Sequence, residues 1–300
     1  MFCCAHSFSM ACDSLYAAWL KVHHPYELYL TMLKLYDAKK NKDKLSAIIA
    51  EMKRYKRIKL IAGKFGQDNR DWVVDKDNQT ISQSLSSIRY MSKQAAKDLY
   101  LIGQNQYNTF TDVLRALQMD TCLDTRQIKI LIELGYFKDF GRSGKLMKVY
   151  NQFFKGSEKL TKSIKSFEAR LIQNRDYENS LLDEELDIGI RLNSELNNVG
   201  LCLSVDNDKP INEYFVRSVD TKYGVKADLY SVKRGSGGIV RIRKLDFQKK
   251  PFEEGDCIIM IRHDKSPRYT YKDGGKSVVP GQYDIWMKEY SVLPKVKGDE

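Results

Sequence analysis

The sequence predicts an α+β multidomain fold: an all-α N-terminal part followed by a small all-β domain. Apolar residues recur at three- and four-residue spacing through most of the chain up to about residue 182. From about Ile211 the period shortens to two, and glycine-rich turns separate the alternating runs. At 300 residues the chain has room for two or three domains, each with its own core.

Leu15, Tyr16, Trp19 and Leu20 give the first helix an apolar face. Pro25 lacks an N–H and clashes with the carbonyl one turn back, so it belongs at the first turn of a new helix. Leu28, Tyr29, Met32, Leu33 and Leu35 carry that helix to Tyr36, and a helical hairpin or kinked pair follows. After a polar break at Asp37–Asp43, Leu45, Ile48, Ile49 and Met52 form one stripe on a helix from Lys44. Its end is dense in cations: Lys53, Arg54, Lys56, Arg57 and Lys59 lie among Tyr55, Ile58 and Leu60. Cations there complement the helix macrodipole, and the same cluster suits a phosphate-facing edge. Lys64–Thr80 is polar and reads as a loop crossed by one short strand at Trp72-Val73-Val74.

Ser92 is a good N-cap for a helix running to about Leu101, and Phe110 starts another. Asp124 with Gln127 forms a capping-box variant ahead of Ile128, Leu131, Ile132 and Leu134, and Gly135 ends that helix in the left-handed slot. Short helices joined by tight turns suggest a helix-hairpin-helix pair. Phe153, Leu160, Ile164, Phe167 and Leu171 predict a connecting helix over 151–182. Strands are expected at Tyr214–Val216, Val225–Lys233, Ile239–Phe247, Cys257–Arg262 and Tyr283–Val292, which suit a small barrel or sandwich. Alternation puts Val240 and Ile242 on one face, with Arg241 and Arg243 on the other. Lys233 and Arg234 lie across the glycine turn, and Arg268, Tyr269, Tyr271 and Lys272 make a basic-aromatic loop. Cations that track a backbone, with aromatics on which bases stack, are what single-strand binding needs.

Fifty Lys and Arg against 39 Asp and Glu leave a net charge of +11, which favours polyanionic partners and nucleic acid first. No apolar run approaches the ~20 residues of a membrane span, and the start lacks the basic n-region of a signal peptide. The six cysteines form no CxxC pair and the four histidines complete no zinc spacing, so reduced thiols are expected. No closely spaced aspartate pair sits where two metal ions would be held, as nucleotide transfer requires.

Ala5, His6, Ala18, Lys21, His23, Pro25, Glu27 and Tyr29 stand in the order Ala-His … Ala-x-x-Lys-x-His-x-Pro-x-Glu-x-Tyr. This resembles the end of the fingers domain of bacterial C-family replicative DNA polymerases, the DNA polymerase III alpha subunit. Glu51 to Tyr55 resembles the segment that leads out of those fingers towards the template-primer. Leu85, Ile88, Arg89, Phe110, Leu131, Ile132, Gly135, Phe137 and Asp139 resemble that family's helix-hairpin-helix region. One departure stands out: the family's first hairpin holds glycines that let the backbone approach a phosphate, whereas this chain has Tyr90-Met91-Ser92. Asn179–Leu203 resembles the segment that introduces the family's oligonucleotide/oligosaccharide-binding (OB) barrel.

The resemblance implies a fingers end at 1–62, a loop at 63–84, a helix-hairpin-helix region at 85–150, a connecting helix at 151–182, an OB-like β domain at 183–293 and a tail at 294–300. It implies nucleotide contacts from His6 and Lys21. DNA contacts are expected from Lys53, Arg54, Lys56, Arg57, Arg89, Lys93, Lys97, Arg142, Lys145, Lys233, Arg234, Arg241, Arg243 and Tyr269. The family carries its catalytic aspartates in a palm upstream of the fingers, and nothing here corresponds to it. No catalysis and no cofactor are therefore expected of this segment alone, with Mg bound only alongside an upstream palm. The implied partners are primer-template and single-stranded DNA, dNTP, the rest of the polymerase and other replication proteins, in the cytoplasm of a bacterial or phage-infected cell, with no membrane. The alternative is a non-catalytic adaptor or paralogue that keeps the fold for protein–protein contacts.

Overall fold

Pro25 does what its ring dictates: helix α1 (Cys4–His23) stops before it, and α2 (Pro25–Ala38) starts on it. The structure, a computed structural model, describes residues 4–155, 166–272 and 275–294. It falls into two units, Met1–Leu182 and Asp183–Glu300. The apolar face expected on α1 is not buried: Leu15 is 71% and Tyr16 63% exposed, so α1 forms by local propensity while α2 buries Tyr29 and Leu33. Asn41 caps α3 (Lys42–Glu51), its side chain accepting from the Lys44 N–H at 3.1 Å. The helix then widens into a π turn over Met52–Lys56, and Arg57 ends it at φ +56°.

The N-terminal unit is not all-α. Strands β1 (Lys59–Ile61), β2 (Val73–Asp75) and β3 (Thr80–Ser82) form a sheet in the order β1-β3-β2, with β1 parallel and β2 antiparallel to β3. The segment 63–84, expected as a loop with one strand, therefore supplies two. Each strand is three residues long, too short for alternation to show, and long-range pairing supplies the order that propensity does not.

Four helices follow: α4 (Lys93–Ile102), α5 (Phe110–Asp120), α6 (Thr125–Glu133) and α7 (Ser143–Phe153). Their starts follow the sequence signals. Ser92 caps α4 by accepting from Ala95 N–H, Asp124 and Gln127 complete a reciprocal box on α6, and Gly135 sits at φ +74° after it. Leu99, Phe110, Leu114, Leu131, Phe137 and Val149 are fully buried between these helices. The connecting segment appears as α8 (Ser166–Ser180), whose Leu171 is buried; Leu160, Ile164 and the side chain of Phe167 lie outside the described residues.

The C-terminal unit opens with α9 (Ile188–Ser194) and a π turn over Glu195–Val199. Strands β4 (Glu213–Asp220), β5 (Val225–Ser231) and β6 (Gly237–Ile242) form a meander, and α10 (Lys244–Lys249) leads to β7 (Cys257–Lys272) and β8 (Gly275–Val292). The five strands close into a barrel in the order β4-β5-β6-β8-β7. Every pair is antiparallel except β6 with β8. Val216, Ala227, Leu229, Val240, Ile242, Ile258 and Met287 fill the interior, while Phe215, Tyr230 and Val232 pack with Ile188 and Leu192 of α9.

The strand limits differ from expectation, most of all in the third strand and the last two. The third strand ends at Ile242 rather than Phe247, because Lys244–Lys249 coils into α10. The last two strands run far past their expected limits, so Arg268 and Tyr269 lie on a strand and not in a loop. Bulges near Arg262 and between Pro267 and Tyr269 break the alternation that would have revealed this length.

Glu195 is 5% exposed and ties the π turn to the chain after it, accepting from the Leu203 N–H at 2.6 Å, the Ser204 N–H at 3.0 Å and the Ser204 hydroxyl. Burial pushes its carboxyl above the usual range despite those donors. A carboxyl raised in the folded state adds stability that is fully present below its unfolded pKa and lost as pH rises through the folded value. The thermal midpoint of Glu195→Gln, relative to the parent, is therefore expected to improve as pH is raised from 4 towards neutrality; a constant difference across that window would contradict this. Among the described residues no helix is long and apolar enough to cross a membrane.

Candidate nucleic-acid interface

In the N-terminal unit, His6 and Lys21 share α1 but stand fifteen positions apart, roughly 22 Å at the helical rise. Both cannot hold the same phosphate group. Lys21 reaches Glu51 of α3 at 2.7 Å, and the Tyr29 hydroxyl donates to the same oxygen at 2.8 Å. Lys21 holds the Glu51 carboxyl below its ordinary range, and burial raises the Tyr29 phenol. Lys21 thus ties α1 to α3 while its side chain stays 45% exposed.

The cations of Met52–Arg57 are displayed by the π turn. Met52 is fully buried, and Lys53, Arg54, Tyr55 and Arg57 stand in solvent with Lys56 half-buried. The Arg57 and Ile58 N–H groups both close on the Met52 carbonyl, so the backbone itself satisfies the helix end. The Arg54 guanidinium lies over the Tyr55 ring at 5.2 Å.

The turn at Tyr90 has a glycine-type backbone without a glycine. Tyr90 sits at φ +69°, a region that costs an L-residue roughly 1–2 kcal/mol. Arg126 of α6 stacks on its ring at 3.8 Å and Arg89 approaches at 4.9 Å. Gln127 donates to the Tyr90 carbonyl at 2.7 Å through the same amide that closes the capping box of α6. The turn, α4 and α6 are thereby joined, and Arg89, Tyr90 and Arg126 share one exposed patch beside Lys93. The structure adds Arg126, which apolar periodicity does not mark. Its one signal is position: Arg126 stands in the first turn of α6 beside the capping Asp124 carboxylate, Lys93 in that of α4 and Lys145 in that of α7, with Arg142 at the α7 cap. Cations at helix starts oppose the macrodipole, and both together attract an anion.

The stack also offsets the strain. Tyr90→Ala keeps the backbone conformation and loses the ring, whereas Tyr90→Gly loses the ring and relaxes the backbone. The glycine variant is expected to be more stable than the alanine variant by about 1 kcal/mol in urea unfolding. The opposite order would contradict the strained turn.

On the barrel, Lys226, Arg241 and Trp286 are register partners across β5, β6 and β8, and all three alternate with core positions, so they face outwards. Asp284, whose side chain is only 13% exposed, holds Arg241 at 3.0 Å from one oxygen and Arg268 at 3.0 Å from the other. Arg241 lies 5.9 Å from the Trp286 ring, and the indole N–H donates to Ser266 at 3.1 Å. Lys265 stands over Tyr283 at 4.2 Å. Acidic partners share this face: Arg217 pairs with Asp228 at 2.7 Å.

The structure does not keep Arg243 on the strand with Arg241, because β6 has ended and Arg243 occupies the position before α10. Lys233 and Arg234 follow the far end of β5, which lies about 17 Å along the strand from the Lys226–Arg241 pair. Tyr269 is 44% exposed on the β7–β8 ribbon, opposite Val278. Asp284 and Trp286 went unmarked because their importance depends on the parallel β6–β8 pairing, which sequence spacing does not show. Among the described residues no group of three His, Cys, Asp or Glu is placed to hold a metal ion. No family model matches the chain, and no curated protein matches it.

Proposed function

We propose that this chain is a DNA-binding segment of a C-family replicative DNA polymerase, contacting template-primer and single-stranded DNA while the metal-dependent step belongs to a palm outside it. The observation that carries the reading is the barrel. Its strand order, with a helix between the third and fourth strands and the third strand parallel to the fifth, supports an OB-like reading. The outward faces of the second and third strands, where that fold receives oligonucleotides, carry Lys226 and Arg241 beside Trp286. In the N-terminal unit, the cations at the starts of α4, α6 and α7 support a phosphate-contacting helix-hairpin-helix region. Lys21 and His6 remain the residues for an incoming nucleotide by the same resemblance, each as a separate contact. Mg belongs to the palm, and this segment alone is not expected to extend a primer.

One feature favours a second reading, a non-catalytic replication adaptor. The Tyr90 ring occupies the hairpin turn where bare backbone would meet a phosphate. Fluorescence anisotropy with a labelled primer-template and a labelled single strand, across a salt series, separates the two. DNA binding predicts an affinity that falls steeply and linearly on a log–log plot as counterions are released. A flat response, or none, favours the adaptor.

A further inference from the structure

In the C-terminal unit a cavity of about 320 Å³ lies between α9, the starts of β4 and β7, and the turn before β7. That volume falls within the range of small-ligand sites. Three carboxylates, Asp187, Glu213 and Glu254, face it against one ammonium, Lys209.

Glu213 is the unusual member. It is 3% exposed because β4 carries it on the same face as Phe215, two residues on, and that face is covered by α9. Its Oε1 is buried and accepts no hydrogen bond. Lys209 stands 3.5 Å from that oxygen, outside the 2.7–2.9 Å of a charge-assisted hydrogen bond. Asp187 is committed to the Gly189 N–H at 2.8 Å. Burial pushes the neighbouring Cys257 thiol up to about 12, with the Glu213 and Asp187 charges adding to it. Gly189 is closely packed at the cavity wall, since a β-carbon there would meet the Asp187 carboxylate oxygen at 2.9 Å and the Cys257 sulfur at 3.3 Å. Held only by that long ion pair, the Glu213 oxygen lacks the short donor a buried carboxylate ordinarily has, and a donor from outside would supply it.

We propose that this cavity binds a cationic nitrogen donor, an alkylguanidinium or alkylammonium head group, seated on Glu213. A guanidinium is the better fit, because it is weakly hydrated and presents parallel N–H groups to a carboxylate. The head group has two sources: an external amine or arginine side chain, or the chain's own Lys295 and Lys297, which follow directly on Pro294 at the cavity edge.

The test titrates the full chain with ethylguanidinium, and with ethylurea as its neutral counterpart, following the backbone amides of Gly189 and Gly255 by NMR. Ethylguanidinium is expected to shift both saturably and ethylurea neither. Glu213→Gln should weaken binding at least tenfold, and Lys209→Met, which removes the competing ammonium, should strengthen it several-fold. Equal affinity in Glu213→Gln, or saturable binding of ethylurea, overturns the site. Where Glu213→Gln fails to fold, an unchanged affinity in Lys209→Met overturns it. A chain ending at Pro294 identifies the source: tighter binding than in the full chain assigns the site to Lys295 and Lys297, and equal binding assigns it to an external cation. No saturable shift in either chain ends the proposal.

Discussion

Glu178→Ala is expected to destabilise the N-terminal unit by about 3–4 kcal/mol, a drop of roughly 10 °C in its thermal midpoint. Glu178 of α8 is 4% exposed, and it accepts from the Phe110 N–H at 2.7 Å, the Thr111 N–H at 2.8 Å and the Thr111 hydroxyl at 2.7 Å. The local cap of α5 does not reach those two amides. Thr109 accepts from Asp112 N–H at 3.2 Å, and its carbonyl takes the Val113 N–H at 3.4 Å. A carboxylate 67 residues away along the chain therefore completes the helix start. One turn earlier on α8, Arg175 pairs with Asp112 at 2.6 Å, so two side chains strap α8 to α5. Removing the carboxylate leaves three buried donors unpaired and a side-chain-sized void. Glu178→Gln keeps the shape but turns an NH2 group towards those donors, and about half the loss is expected. Urea unfolding followed by a probe in each unit checks this: the N-terminal transition should move and the barrel transition should stay. An unchanged N-terminal transition would falsify the assigned role of Glu178.

The contrast between Ser92 and Glu178 shows what the sequence makes legible. Ser92, Asp124, Gln127, Pro25 and Gly135 act on neighbours within one turn, so their spacing alone places helix starts and ends. Glu178, Asp284 and Gln127 towards Tyr90 act on partners far along the chain, and no local pattern announces them. The same division explains the small sheet, whose strands draw their order from pairing rather than from three-residue patterns. It explains α1 as well: its periodicity is real, but Leu15, Tyr16 and Trp19 stay in solvent. For the candidate site, cation-rich segments were visible, yet their grouping was not. Alternation puts Arg241 and Arg243 on one face, and a strand that ends at Ile242 separates them. Tyr90 marks the most informative departure, because the resemblance flags the missing glycine and the structure shows a tyrosine in a glycine-type conformation there.

On the barrel, two substitutions should weaken single-strand binding in physically different ways. Arg241→Ala is expected to lower affinity for an oligo-dT strand about three- to tenfold at 0.1 M salt and to reduce the salt slope by about 1, because one phosphate contact and its released counterion are lost. Trp286→Ala is expected to cost about 1–3 kcal/mol of binding with the slope unchanged, since base stacking releases no counterion. Trp286→Phe should restore part of that loss, because it keeps a flat ring between Arg241 and Ser266. Asp284 makes the pair separable: it still anchors Arg268 when Arg241 is gone, so the face does not collapse with one arginine. The decisive quantity is the difference between the two slopes. If both variants bind as the parent does, this face is not where the strand lies. If both lose affinity with the same change of slope, Trp286 acts only by holding Arg241, and the stacking role is removed while the phosphate contact stands.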